Sequence, residues 1–194
     1  DDCNIYVQSQ RAGERVMVSV ERFLAQRLKL TVNRAKSAVD LPNRRKFLGF
    51  SFAFRKGVWR RIAPQALIRF KSRIRVLTRR NRGKSLEQIV EELSIYLRGW
   101  LGYFGFCQTP SVLYELDKWI RRRLRCLVWK QWRLGYVRYA ELRRRGIPDV
   151  LAGHTAGSAQ GPWRLSNSPA LNRGLSNRFF KSLALVSLSD GLTS

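Results

Sequence analysis

The sequence is poor in acid. Thirteen Asp and Glu stand against 38 Lys and Arg, a formal net charge of +25. Between Arg44 and Lys84 there is no carboxylate at all. Such a balance excludes a basic partner and calls for a polyanion, with nucleic acid first and an anionic membrane surface second. Histidine is nearly absent: His154 stands alone in a stretch of Gly, Ala and Ser and reads as a surface residue. The three cysteines, Cys3, Cys107 and Cys126, are scattered. No pair has metal-ligand spacing, so a zinc site is excluded and the thiols read as reduced. No Ser/His/Asp or Cys/His constellation assembles, which leaves nucleophilic hydrolysis without support. No apolar run approaches the roughly 18 residues that a membrane-spanning helix needs, and no signal peptide is visible. Hydrophobic residues make up 44% and aromatics 11% of the 194 residues. That is enough for one or two real cores and excludes a disordered polyelectrolyte.

Against this background the first two residues, Asp1 and Asp2, are an anomaly. An acidic pair in a basic chain repels the polyanion that the rest attracts, unless a cation sits between them. Mg²⁺ takes oxygen ligands, typically one or two carboxylates plus substrate phosphates. A solvated acidic terminus is the plain alternative. The alternation of Cys3 to Ser9 predicts a strand, broken at Ala12-Gly13. Glu14 to Leu30 reads as a helix burying Met17, Val20, Leu24 and Leu28. Lys36 to Val39 reads as a short strand. Phe47 to Phe54 is the most β-like run, with Leu48, Phe50, Phe52 and Phe54 on one face and Gly49, Ser51 and Ala53 on the other. Val58 to Ile62 would return as the partner strand of a hairpin.

After Ala63-Pro64 the period turns helical. Leu67, Phe70, Ile74 and Leu77 form one apolar stripe, and Arg69, Lys71, Arg73, Arg75, Arg79 and Arg80 occupy the rest. Ser85 with Gln88 forms a capping box at the start of a second helix. Thr109-Pro110 starts a third, with Glu115 and Asp117 early and Arg121, Arg122 and Arg123 later, in accord with the helix dipole. The fold class is therefore α+β: antiparallel strands plus a helix over 1–62, a helical bundle over 63–134, and a basic, loosely structured tail over 135–194. The tail assignment rests on its Gly, Ser and Asn content between 153 and 169. The acid-free stretch points to sequence-blind phosphate contact, against the usual reading of a charge run as a solvated face. Trp59, Trp119, Trp129 and Trp132 offer stacking surfaces, although aromatics at helical spacing more often fill a core.

These residues carry a resemblance. Asp1-Asp2-Cys3-Asn4-Ile5-Tyr6-Val7 resembles the strand that carries the catalytic Asp-Asp of reverse transcriptases. Leu28 to Ser37, with Asn33 and Lys36, is similar to the next block of those enzymes. Phe47-Leu48-Gly49-Phe50 resembles the block beside the primer-contacting hairpin. Ser85 to Trp132, with Tyr96-Leu97-Arg98-Gly99-Trp100-Leu101-Gly102-Tyr103-Phe104, is similar to the maturase-specific domain, or thumb, of group II intron proteins. Gly161-Pro162-Trp163-Arg164-Leu165-Ser166 resembles the short ends of bacterial members.

The resemblance implies a partial reverse-transcriptase palm followed by an α-helical thumb. It implies an RNA-directed DNA polymerase that also helps its intron RNA to fold and splice. Asp1 and Asp2 would hold Mg²⁺ and carry catalysis. Asn33 and Lys36 would support the template or incoming nucleotide, and Gly49 would let the primer approach. Arg69, Lys71, Arg73, Arg75, Arg79, Arg80, Arg121, Arg122 and Arg123 would contact nucleic acid. The implied partners are group II intron RNA, a DNA primer or target and dNTPs, in the bacterial cytoplasm and without membrane. Self-association is left open. A non-catalytic RNA-binding splicing factor is the alternative, and a basic ribosome-associated protein explains the charge but not the ordered motifs. The first residue is not Met, and the family's third metal-binding Asp and its fingers do not appear, so a fragment is expected. The expected outcome in a primer-extension assay is that these 194 residues add no nucleotide; an extension product would refute that expectation.

Overall fold

The computed structural model describes residues 3–54 and 57–190. The chain divides into two compact units, residues 1–66 and 67–194. The division falls inside the first turn of a helix, a few residues past the expected boundary at 62.

In the first unit, Cys3 to Gln8 forms no strand and pairs with none among the described residues. Alternation alone does not make a strand; its N–H and C=O groups need a neighbour's ladder. Helix α1 runs Gln10–Arg27, capped by Ser9, whose hydroxyl accepts from the Ala12 amide at 3.2 Å. The expected break at Ala12-Gly13 is therefore a helix interior. Gly13 is the buried residue of α1 because other chain passes close over it. A Cβ there would lie 2.6 Å from Val39 Cγ1 and 3.4 Å from Val7 Cγ2. Met17, Val20 and Leu24 are half-buried, whereas Leu28, expected inside, is 52% exposed. The helix ends with Lys29 at φ 54° and a bond from the Leu30 amide to Leu24 O at 3.0 Å. This is the left-handed exit that glycine usually supplies.

The expected strand over Lys36–Val39 is absent, and a turn built by Asn33 occupies its start. Strands β1 (Lys46–Phe47), β2 (Phe50–Phe54) and β3 (Val58–Ile62) form an antiparallel sheet in that order. The single run expected over Phe47 to Phe54 is thus two strands. Phe47 pairs with Phe50 across Leu48-Gly49, whose φ values are 49° and 79°. Two positive φ values are the requirement of a type I′ hairpin turn, which Gly49 meets without strain and Leu48 does not. Phe52 keeps its apolar face and meets Tyr6 edge-on at 6.2 Å.

Helix α2 (Pro64–Leu77) leads into a 3₁₀ turn at Arg80–Arg82, then α3 (Leu86–Phe104) and α4 (Pro110–Gln131). The capping box at the start of α3 is present: Ser85 Oγ accepts from the Gln88 amide and Gln88 Oε1 accepts from the Ser85 amide. Phe70 and Ile74 of α2, Ile89, Val90, Leu93 and Leu97 of α3, and Leu113, Ile120 and Leu124 of α4 are all at most 1% exposed. Phe70 packs 4.3 Å from the Trp100 ring. This is the stripe that the helical period predicts.

The loosely structured tail is corrected. Residues 135–190 form α5 (Gly135–Arg144), α6 (Asp149–Ala156), α7 (Pro162–Leu165), α8 (Pro169–Gly174) and α9 (Asn177–Ser182). Leu142, Ala152, Ala170, Leu171, Leu175 and Leu188 are fully buried. Short helices of low amphipathicity escape a periodicity search, because their order comes from packing rather than propensity. Polar clamps hold them. Asp117 of α4, 2% exposed, accepts from the amides of Leu188 at 3.0 Å and Ser189 at 3.1 Å, and from both hydroxyls of Ser187 and Ser189 at 2.7 Å. Ser94 of α3 donates to Ala184 O and accepts from the Val186 amide. Buried Arg125 donates to Leu175 O at 2.9 Å. Asp117, read from sequence as a helix-dipole acid, is a buried anchor.

Orphaning a buried donor costs about 1–3 kcal/mol. Asp117→Ala leaves two backbone amides and two hydroxyls unpaired, and is expected to destabilise the chain by about 3 kcal/mol in urea unfolding. It should also expose the amides of residues 183–190 to rapid hydrogen exchange. A loss under about 1 kcal/mol with exchange unchanged would show that Asp117 does not clamp this segment.

Candidate nucleic-acid interface

The candidate residues fall in both units. Asp1 and Asp2 lie outside the described residues. Among the described residues, no group of three or more His, Cys, Asp and Glu side chains is placed to hold a metal ion.

Asn33 builds a turn. Its Oδ1 accepts from the amides of Ala35 at 3.1 Å and Lys36 at 3.2 Å, and its carbonyl accepts from Lys36 and Ser37. Its amide oxygen is therefore occupied by its own backbone, in the manner of an Asx turn. The turn presents exposed Lys36. Glu21 of α1 steadies it by pairing with Arg34 at 2.7 Å. Gly49 sits in the β1–β2 turn, where its carbonyl accepts from the Ala63 amide at 2.8 Å.

In the second unit the cations sort into distinct roles. Trp119, half-buried on α4, gathers three of them: Lys71 and Arg75 of α2 and Arg123 of α4 lie 5.9, 5.6 and 5.4 Å from its ring. A cation over an indole is held by the ring quadrupole, so this ring tolerates a cluster that has no carboxylate. Arg123 also donates from Nε to Thr78 Oγ1 at 2.9 Å. Burial, and then the charge of Arg75, push its guanidinium below the usual range. Arg69, Arg73, Arg79 and Arg80 are exposed. Arg121 is half-buried on α4.

Arg122 is different. It lies 4.2 Å from the Trp163 ring, donates to Trp163 O at 3.1 Å and reaches Ser166 Oγ at 3.4 Å. Its guanidinium is spent on holding α7 against α4. The sequence offered this residue as a nucleic-acid contact; in the fold it also braces α7. Trp129 and Trp132, offered as stacking surfaces, are buried, with Arg138 and Arg145 over their rings. Trp163, which sequence reasoning missed as a stacking surface, is 42% exposed. Its signal was weak because it stands in a Gly- and Ser-rich stretch rather than on an amphipathic helix.

The loop joining α2 to α3 is stiffened by Glu92, which pairs with Arg82 at 2.7 Å and with Lys84. Lys84 and Arg82 together hold the Glu92 carboxyl below its ordinary range.

These features define a class: an α-helical unit that presents acid-free clusters of Arg and Lys braced on tryptophan rings. Residues 67–146 match the family model described as group II intron, maturase-specific domain. The match starts at the first residue of the helical unit, ends just past α5, and does not extend to residues 1–66. It supports the assignment of these residues to the thumb region of an intron maturase. No curated protein matches the chain. No helix among the described residues is long and apolar enough to cross a membrane.

A carboxylate whose pKa is lowered by folding stabilises the native state above its unfolded pKa, and that stabilisation is lost as pH falls through the folded value. Lowering the pH below the ordinary glutamate range is therefore expected to free the 80–84 loop, read as faster amide exchange there. The variant Glu92→Gln should show that fast exchange already at neutral pH. A loop equally protected in both proteins across the acid range would contradict this role.

Proposed function

We propose that this chain serves a group II intron maturase, its helical unit docking intron RNA through the basic surface of α2 and α4 and thereby assisting splicing. The observation that carries this reading is a coincidence of two facts. The maturase-specific match spans the α2–α4 region, and that region holds Lys71, Arg75 and Arg123 on one indole without a carboxylate partner. Phosphates supply the missing negative charge, and the counterions they release supply affinity. Such contacts are blind to sequence, so intron specificity falls to RNA shape and to unpaired bases.

The fuller reading adds polymerisation. In it Asp1 and Asp2 belong to the metal pair of a reverse transcriptase, Mg²⁺ supplies charge for phosphoryl transfer, and a DNA primer and dNTPs are the substrates. Its support is the run of motifs through Asn33, Lys36 and Gly49. Gly49 stands in the β1–β2 turn. The leaner reading, a splicing module without catalysis, draws on the restriction of the family match to the helical unit. RNA docking is common to both.

Binding of the chain to a group II intron RNA should weaken linearly as log affinity against log salt, with a slope near −0.7 to −0.9 per phosphate neutralised. Arg69→Glu and Arg73→Glu, at exposed positions of α2, should each lower affinity and flatten the slope by about one unit. A salt-independent affinity, or none, would overturn the docking role.

A further inference from the structure

One cleft of the helical unit combines features that phosphate contact alone does not require. It measures about 180 Å³ and is lined by Thr78, Arg80, Arg123, Cys126, Leu127, Lys130 and Trp163. Three of these are cations and none is an acid. Among the described residues Arg80, Arg123 and Lys130 make no ion pair. The 3₁₀ turn that carries Arg80 is fixed by Arg82, which donates to Leu77 O at 2.8 Å and pairs with Glu92. Arg123 is fixed by Thr78. Positive charge is thus concentrated and preorganised.

The cleft lining also includes an aromatic ring, Trp163. Trp163 has Arg122 at 4.2 Å from its ring centre, which holds the ring in place. It is still 42% exposed and lines the cleft beside Leu127. A flat ring held next to convergent cations suits a ligand whose planar apolar group lies a short linker away from a phosphate. A nucleotide has that shape. A base in a duplex is already stacked on its neighbours, so only an unpaired one has a face to offer.

We propose that this cleft captures one unpaired nucleotide of the bound RNA, its base stacked on Trp163 and its phosphate held by Arg80, Arg123 and Lys130. The proposal rests on the RNA-docking reading and deepens it, because it gives the helical unit a means of telling a single-stranded loop from a helix. Trp163 then acts as the selective element and the cations as the anchoring ones.

Cys126 reports on occupancy, since its half-buried thiol lines the same cleft. The experiment alkylates the full chain with iodoacetamide, with and without a short single-stranded oligouridylate, and reads each cysteine by mass spectrometry. Alkylation of Cys126 should slow about tenfold in the presence of the oligonucleotide. In parallel, Trp163→Leu and Lys130→Ala should each weaken oligouridylate binding about tenfold, in line with the loss of one stacked base or one anchored phosphate. Both side chains are exposed, and a thermal melt checks that each variant folds. Intron RNA that binds at full affinity while oligouridylate neither binds nor protects Cys126 would overturn this proposal and leave the docking role standing. Protection by inorganic phosphate equal to that by oligouridylate would overturn it too, by reducing the cleft to an anion site. Failure of every RNA to bind would remove both readings together.

Discussion

A single buried carboxylate organises the helical unit. Asp117 lies inside α4 with both oxygens committed to the chain between Ser187 and Ser189. A charge at 2% exposure is tolerated only when its hydrogen-bonding capacity is filled. The partners are two backbone amides and two hydroxyls, so the segment must follow one path to satisfy it. Ser94 fixes the same segment a few residues earlier, and Arg125 fixes the turn after α8. Three polar residues on α3 and α4 therefore decide where the short helices of 135–190 come to rest. Leu142, Leu171, Leu175 and Leu188 supply the apolar burial, and the clamps supply the register.

The same packing determines what the cations can do. Without α7 against α4 there would be no Trp163 beside Arg80 and Lys130. Arg122 is the residue that holds α7 there, and it is consumed in doing so. Excess positive charge is normally a liability, since like charges repel and weaken the compact state. Here indole faces reduce that repulsion locally. Trp119 takes Lys71, Arg75 and Arg123, and Trp129 and Trp132 take Arg138 and Arg145. The chain thus keeps these cations on indole rings, and among the described residues Lys71, Arg75 and Arg123 make no ion pair.

The unit of α1 and the sheet is less legible in sequence, for a different reason. Its sequence alternates like strands, but Cys3 to Gln8 and Lys36 to Val39 have no ladder partners among the described residues. Their apolar residues instead crowd the α1 backbone at Gly13. Asn33 and Lys36 are joined physically: the first shapes the turn that carries the second.

Composition and period were enough for the α+β class, the stripes of α2 to α4 and the Ser85 capping box. Each of these is a local property: a repeat of 3.6 residues, or two side chains three positions apart. The motif over Ser85 to Trp132 was enough to point to the maturase-specific domain that residues 67–146 match. Tertiary structure alone decided the rest. It made Asp117 an anchor rather than a dipole acid, set Arg122 against α7, ordered residues 135–190, and placed Trp163 in one cleft with three cations. The physical reason is separation along the chain. Asp117 and Leu188, or Arg80 and Trp163, are many tens of residues apart, and no periodicity connects them. Only the closed core brings such pairs into one hydrogen bond or one cleft, and only there does burial set whether a charge faces solvent or the fold.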